Sequence, residues 1–197
     1  MRRNIKMIIR FPIWAVAIIL LFLSVNCFSQ TRLDFGEIQG NDLSKCIDTI
    51  DGKICHSKNQ LEIRLTKAIL LSGSYESIVL AYNGIKWTAV KYEGDWIHDT
   101  VVKFDLQPIR KFEAIFSALK ENKIFTLPDQ EELNAKGSVD DGSEFSLSFK
   151  AKNKFRTYHF SNPDTYQKYN KNLIEFENYI NIVEILFNWL KKEESKG

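Results

Sequence analysis

Several signatures by which enzymes are commonly recognised are missing from this chain. It has no phosphate-binding glycine loop, no HExxH and no GxSxG, so the nucleotide-binding, zinc-peptidase and serine-hydrolase chemistries those patterns report have no local support. Cysteine is scarce, with three residues at Cys27, Cys46 and Cys55. Neither a CxxC redox pair nor the paired spacing of a zinc site can be made from them. No segment repeats at a period of 20–50 residues, which excludes solenoids and propellers.

Excess charge of one sign is also absent, once the amino terminus is set aside. Residues 1–29 read as an export signal: Arg2, Arg3, Lys6 and Arg10 form a basic start, residues 13–23 an apolar run, and Cys27-Phe28-Ser29 a small-x-small cleavage site before Gln30. The apolar stretch, residues 11–25, is shorter than the roughly 20 residues a spanning helix needs, so cleavage is favoured over retention. Lipidation at Cys27 is the alternative, disfavoured because Asn26 stands where such sites carry a small residue. Removing the four basic residues turns 27 Lys+Arg against 25 Asp+Glu into 23 against 25. The alkaline pI of 8.3 therefore belongs to the precursor, and the mature chain has no basic excess with which to bind nucleic acid.

What remains is 168 residues, a length that suits one domain. Residues 30–60 have little periodicity and read as an extended leading segment that ends in a loop closed by Cys46 and Cys55. In an oxidising compartment two thiols this close are expected to form a disulfide, with Asp51-Gly52 turning the chain between them. The domain proper is expected over 61–193.

There, Leu61, Ile63 and Leu65 alternate with polar residues as in a half-buried strand. Asn83-Gly84 between two apolar runs predicts a hairpin with a two-residue turn. That register sets Tyr82 opposite Ile85, Leu80 opposite Trp87, Ile78 opposite Ala89 and Glu76 opposite Lys91, with Tyr75 and Tyr92 as neighbours on the second, more polar face. A fourth strand is expected over 100–106. Ile109, Phe112, Ile115, Phe116 and Leu119 then recur at helical spacing, with Pro108 in the first turn.

Phe145, Leu147 and Phe149 face Arg156, Tyr158 and Phe160 in a second hairpin turning near Lys152-Asn153. Asn162-Pro163 starts a short helix that breaks at Asn170-Lys171-Asn172, and a final amphipathic helix is expected over 173–192. Four strands, a helix, two strands and a helix make an α+β domain: a mainly antiparallel sheet of about six strands, with the helices on one face.

Three groups of residues could carry chemistry. His98-Asp99 with His159 could form an acid–base pair or a metal site, although nothing in the sequence places them together. Asp140-Asp141-Gly142-Ser143-Glu144 crowds oxygen ligands around a glycine, but lacks the ligand alternation of a calcium loop. Tyr75, Tyr82, Trp87, Tyr92 and Trp96 gather around the first hairpin, and Tyr75 and Tyr92, on its more polar face, are the better candidates for an exposed platform.

The terminus CFSQ and the stretches YNGIKWTAVKY, DGSEFSLSF and YHFSNP resemble uncharacterised exported proteins of Bacteroidota, over most of residues 75–190. The resemblance implies export and brings no activity or functional residue with it. Together these readings point to a non-enzymatic binding or assembly module in the periplasm or at the cell surface. Its partner would be another envelope protein or a small ligand, with no cofactor, metal or nucleic acid and no membrane span after cleavage. The alternatives are a small hydrolase or metal-dependent enzyme with an unfamiliar site, and an immunity or inhibitor protein of the envelope.

Overall fold

Period-two alternation becomes six long strands in the computed structural model, which describes residues 33–42, 54–69, 71–137, 139 and 142–192. All of these belong to the unit Leu33–Gly197. The export signal, Cys27, Cys46, Asp140 and Asp141 lie outside the described residues.

In chain order the elements are β1 (Asn41–Asp42), β2 (Leu61–Ile69), β3 (Ser74–Tyr82), β4 (Trp87–Asp95), β5 (Thr100–Pro108), α1 (Phe112–Glu121), a 3-10 turn (Gln130–Leu133), β6 (Ser143–Ala151), β7 (Lys154–Ser161), α2 (Pro163–Tyr169), α3 (Ile174–Asn188) and β8 (Leu190–Lys192). They form an eight-stranded sheet in the order β1-β7-β6-β2-β3-β4-β5-β8, with every pairing antiparallel. The fold is thus α+β with an antiparallel sheet, and it has eight strands where about six are expected. The two additions are β1, of two residues, and β8, of three; strands so short leave no alternation to read.

β8 arises where the last helix was expected to continue. α3 ends at Asn188, and the chain turns so that Leu190 pairs with Pro108 and Lys192 with Leu106. Pro108 therefore closes β5 instead of opening α1, which starts only at Phe112.

The first hairpin keeps its expected faces but not its register. Tyr82 pairs with Trp87, Leu80 with Ala89 and Ile78 with Lys91, so each partner lies two residues beyond the expected one. The cause is local. Asn83 Oδ1 accepts from the backbone N–H of Ile85 and Lys86 at 2.9 and 3.0 Å, which widens the turn to residues 83–86, with Gly84 at φ +97°. A shift of two preserves side-chain parity, so the core face survives. The second hairpin turns at Lys152-Asn153 as expected, with Phe145 opposite Phe160 and Leu147 opposite Tyr158.

One sheet face carries the core. Leu61, Ile63 and Leu65 of β2 are fully buried, flanked by Ile78 and Leu80 of β3 and by Leu147 and Phe149 of β6. α3 lays Tyr179 on Phe160, ring centroids 4.0 Å apart, and Phe176 edge-on to the same ring at 5.6 Å. α1 brings Phe112 and Phe116 against Trp87. The sheet residues in these contacts share one face by register. Burying a side chain such as Phe176 contributes about 1.5–3 kcal/mol. The leading segment joins the same core through Leu33 and Phe35, the latter edge-on to Phe116 and Phe125.

Candidate functional site

The opposite sheet face is made of the alternate residues, and register orders them in rows across the strands. Ser161, Glu144, Ala68, Tyr75 and Gly94 form one row; His159, Ser146, Thr66, Ser77 and Tyr92 the next; Thr157, Ser148, Arg64, Val79 and Val90 the third. In the fourth, Lys150 lies opposite Glu62.

The segment 54–60 seals the fourth row. Glu62 is 5% exposed; its carboxylate accepts from Ser57 Oγ, from Asn59 Nδ2 at 2.8 Å and from Arg64 Nε at 2.7 Å. Lys150 Nζ donates to the carbonyl oxygens of Ser57 and, at 2.7 Å, Asn59. Burial pushes the Lys150 ammonium below its ordinary range, and the nearby Glu62 charge only partly opposes this.

Beyond this seal the face opens into a groove of about 1080 Å³, at the upper end of what ligand sites enclose. Its floor is small and hydroxylated: Thr66, Ser77 and Ser146, with Thr66 Oγ1 3.0 Å from Ser77 Oγ. One wall is Trp96, 56% exposed and stacked on Tyr75 with ring centroids 5.3 Å apart and planes 16° from parallel. The other wall is the 3-10 turn, which lies along the β7 edge. Asp129 Oδ2 accepts from the backbone N–H of His159, and Gln130 Oε1 from that of Ser161, both at 2.9 Å. A capping box between Asp129 and Glu132 holds the turn, and the Glu132 carboxylate also accepts from Arg156 Nη2 through both of its oxygens.

The expected site residues are dispersed. His98 is paired with Asp95 through Nδ1 at 2.9 Å, not with Asp99, and its side chain is 71% exposed. His159 lines the groove, but its row reaches β4 only after four strand spacings, roughly 19 Å. Asp99 sits in the β4–β5 turn at φ +49°. Among the described residues, no group of His, Cys, Asp and Glu could hold a metal ion.

Of the acidic stretch, Gly142 is pressed against the Asn162 amide, whose Oδ1 accepts from Ser143 N–H at 3.1 Å, and Glu144 lines the groove. Tyr75 and Tyr92 share the open face in adjacent rows, with Tyr75 opposite Gly94 and Tyr92 opposite Ser77. The expected Cys46–Cys55 pairing lies outside the described residues through Cys46, and Cys55 is not without a partner.

Ser117 and Lys120 of α1 have the SxxK spacing. Ser117 Oγ lies 3.4 Å from Glu121, however, and Lys120 Nζ is taken by Asp34 at 2.8 Å, so they form no nucleophile–base pair. Arg64, Thr66, Ser77 and Ser146 attract no notice in the sequence. The signal that could have found them is the short hydroxylated side chain repeated at solvent-facing strand positions, where long charged residues are the common choice. No helix of the described residues is long and apolar enough to cross a membrane. No protein-family model matches the chain, and no curated protein does either.

Proposed function

We propose that this is an exported, non-enzymatic binding module of the periplasm or cell surface that holds its ligand on the open sheet face, in the groove between the Tyr75–Trp96 wall and the 3-10 turn. The groove is the observation that carries the reading: a concave floor of hydroxyls beside an exposed Trp96 stacked on a half-buried Tyr75 is suited to binding. The signal-like amino terminus and the near-balanced charge of the remaining chain support export and argue against a nucleic-acid partner. An acid–base mechanism receives no support from His98 and His159, which lie apart, His98 in the β4–β5 turn and His159 on β7.

The test is a tryptophan-fluorescence titration of the exported protein with fractionated envelope extract. Trp96→Phe and the groove-filling Ser146→Phe serve as controls. A fraction that shifts the emission of the parent and of neither variant supports the reading. A shift that persists in Ser146→Phe overturns it.

A further inference from the structure

We propose that the groove takes a short extended peptide with both termini free, its carboxylate at the Arg64 end and its ammonium at the Glu144 end. The inference rests on the open-face reading and adds the chemistry of the ligand.

The two ends of the groove carry opposite charge. At the sealed end, Glu62 is the carboxylate for two cations: Arg64 is ion-paired to it, and Lys150 lies opposite it in the register. Within this trio one positive charge is left over. Arg64, with its side chain 23% exposed, is the member of the trio that lines the groove. Its Nε and one terminal nitrogen are committed to Glu62. The rest of the guanidinium fork is available to a carboxylate, which it suits geometrically.

At the far end stands Glu144, opposite Ala68 and Ser161, and Glu131 adds a second carboxylate from the flanking wall. Neither side chain has a partner among the described contacts. The Asp129 carboxylate beside them is already occupied by the backbone N–H groups of Glu131 and His159.

Arg64 and Ala68 are four positions apart on β2, about 14 Å at a strand rise of roughly 3.4 Å per residue. An extended peptide advances about 3.3–3.6 Å per residue, so about four residues bring its terminal charges to the two ends. Between them, the hydroxyls of Thr66, Ser77 and Ser146 meet the polar backbone of the ligand, and the Trp96–Tyr75 wall gives one apolar side chain a surface.

Other occupants fit less well. An anion gains at Arg64 and is repelled by Glu144 and Glu131, and a polycation meets the reverse. A neutral saccharide satisfies neither end, and covering charged groups without pairing them is costly.

Isothermal titration of the exported protein with a pool of tetrapeptides randomised at every position tests this. The same pool is also used N-acetylated and C-amidated, and cellotetraose is a separate probe. The free pool should bind, and each cap should weaken binding by about tenfold, the equivalent of 1.4 kcal/mol. Glu144→Gln should shrink the penalty of acetylation and Glu131→Gln with it should erase it, while Arg64→Gln should erase that of amidation. If Arg64→Gln fails to fold, the capped pools still decide the matter.

Equal binding of free and capped pools, or no binding of peptides, overturns the inference. Cellotetraose binding that Ser146→Phe abolishes, without peptide binding, sinks the peptide while leaving the open-face reading intact. Peptide binding unchanged by Ser146→Phe sinks both.

Discussion

The ring of Tyr75 fills the space that a side chain on Gly94 would need. A Cβ built there would lie 2.4 Å from Tyr75 Cε1, so the glycine on β4 lets the tyrosine lie across the strand and support Trp96. Gly94→Ala should push Tyr75 off its neighbour and cost about 1–3 kcal/mol. Near-ultraviolet circular dichroism should report the lost stack, and adding Tyr75→Ala should restore most of the stability.

Glu62 should be among the costliest single residues to neutralise. Glu62→Gln leaves Arg64 without its ion-pair partner and removes the negative charge near Lys150, beneath the 54–60 segment, and breaking a buried pair from one side typically costs about 3–5 kcal/mol. Urea unfolding measures the loss. Lys150→Met in the same chain should recover part of it, because one of the two stranded cations is then gone.

Acid should loosen the carboxyl-terminal edge of the sheet first. Hydrogen bonds from Lys91 and Lys192 hold the Glu93 carboxyl below its ordinary value of 4.5. A lowered folded value means that the stabilisation is fully present above 4.5 and is lost as pH falls through the folded value. Lys192 belongs to β8, so amide exchange at Leu190–Lys192 should accelerate in that window ahead of exchange in β2. Lys192→Met should flatten the dependence.

Tyr179 offers a stabilising change. Its hydroxyl is buried with no hydrogen-bond partner among the described residues, and burial raises its pKa well above the ordinary 10.0. Tyr179→Phe keeps the stack on Phe160 and removes an unpaid desolvation. Stability should rise by about 1 kcal/mol, read as a higher thermal midpoint; a fall would show that the hydroxyl is bonded.

The leading segment makes a covalent prediction. A disulfide between Cys46 and Cys55 should lower the intact mass by two hydrogens, and its reduction should cost about 2–3 kcal/mol for so short a loop. The same mass measurement reads the new amino terminus at Gln30 or a lipid at Cys27.

The sequence showed its long elements more clearly than its edges or its site. The α2 bounds at Pro163 and Tyr169 are plain from an Asn-Pro start and an Asn-Lys-Asn break, and the core faces of β2, β6 and β7 follow from alternation alone, whereas β5 buries only Leu106. The first hairpin's register departs from the dipeptide pattern because the Asn83 side chain determines the loop length. β8 was hidden because Leu190 suits a helical stripe as well as it suits a strand. The groove was illegible for a different reason. It depends on β6 returning to β2 and on the 3-10 turn lying along β7, and both are contacts between residues far apart in the chain.

The two flanks of the sheet are finished differently. Asp129 and Gln130 hold two of the outward N–H groups of β7, whereas β8 reaches only Leu106–Pro108, so among the described residues Thr100–Asp105 has no ladder partner on its outer side. Val101 and Val102 there would welcome another strand, and Lys103 and Asp105 must be stripped of water before one can dock. Those two charges thus act as a guard against fibre growth, and a chain that lost both would keep its fold in dilute solution yet gel when concentrated.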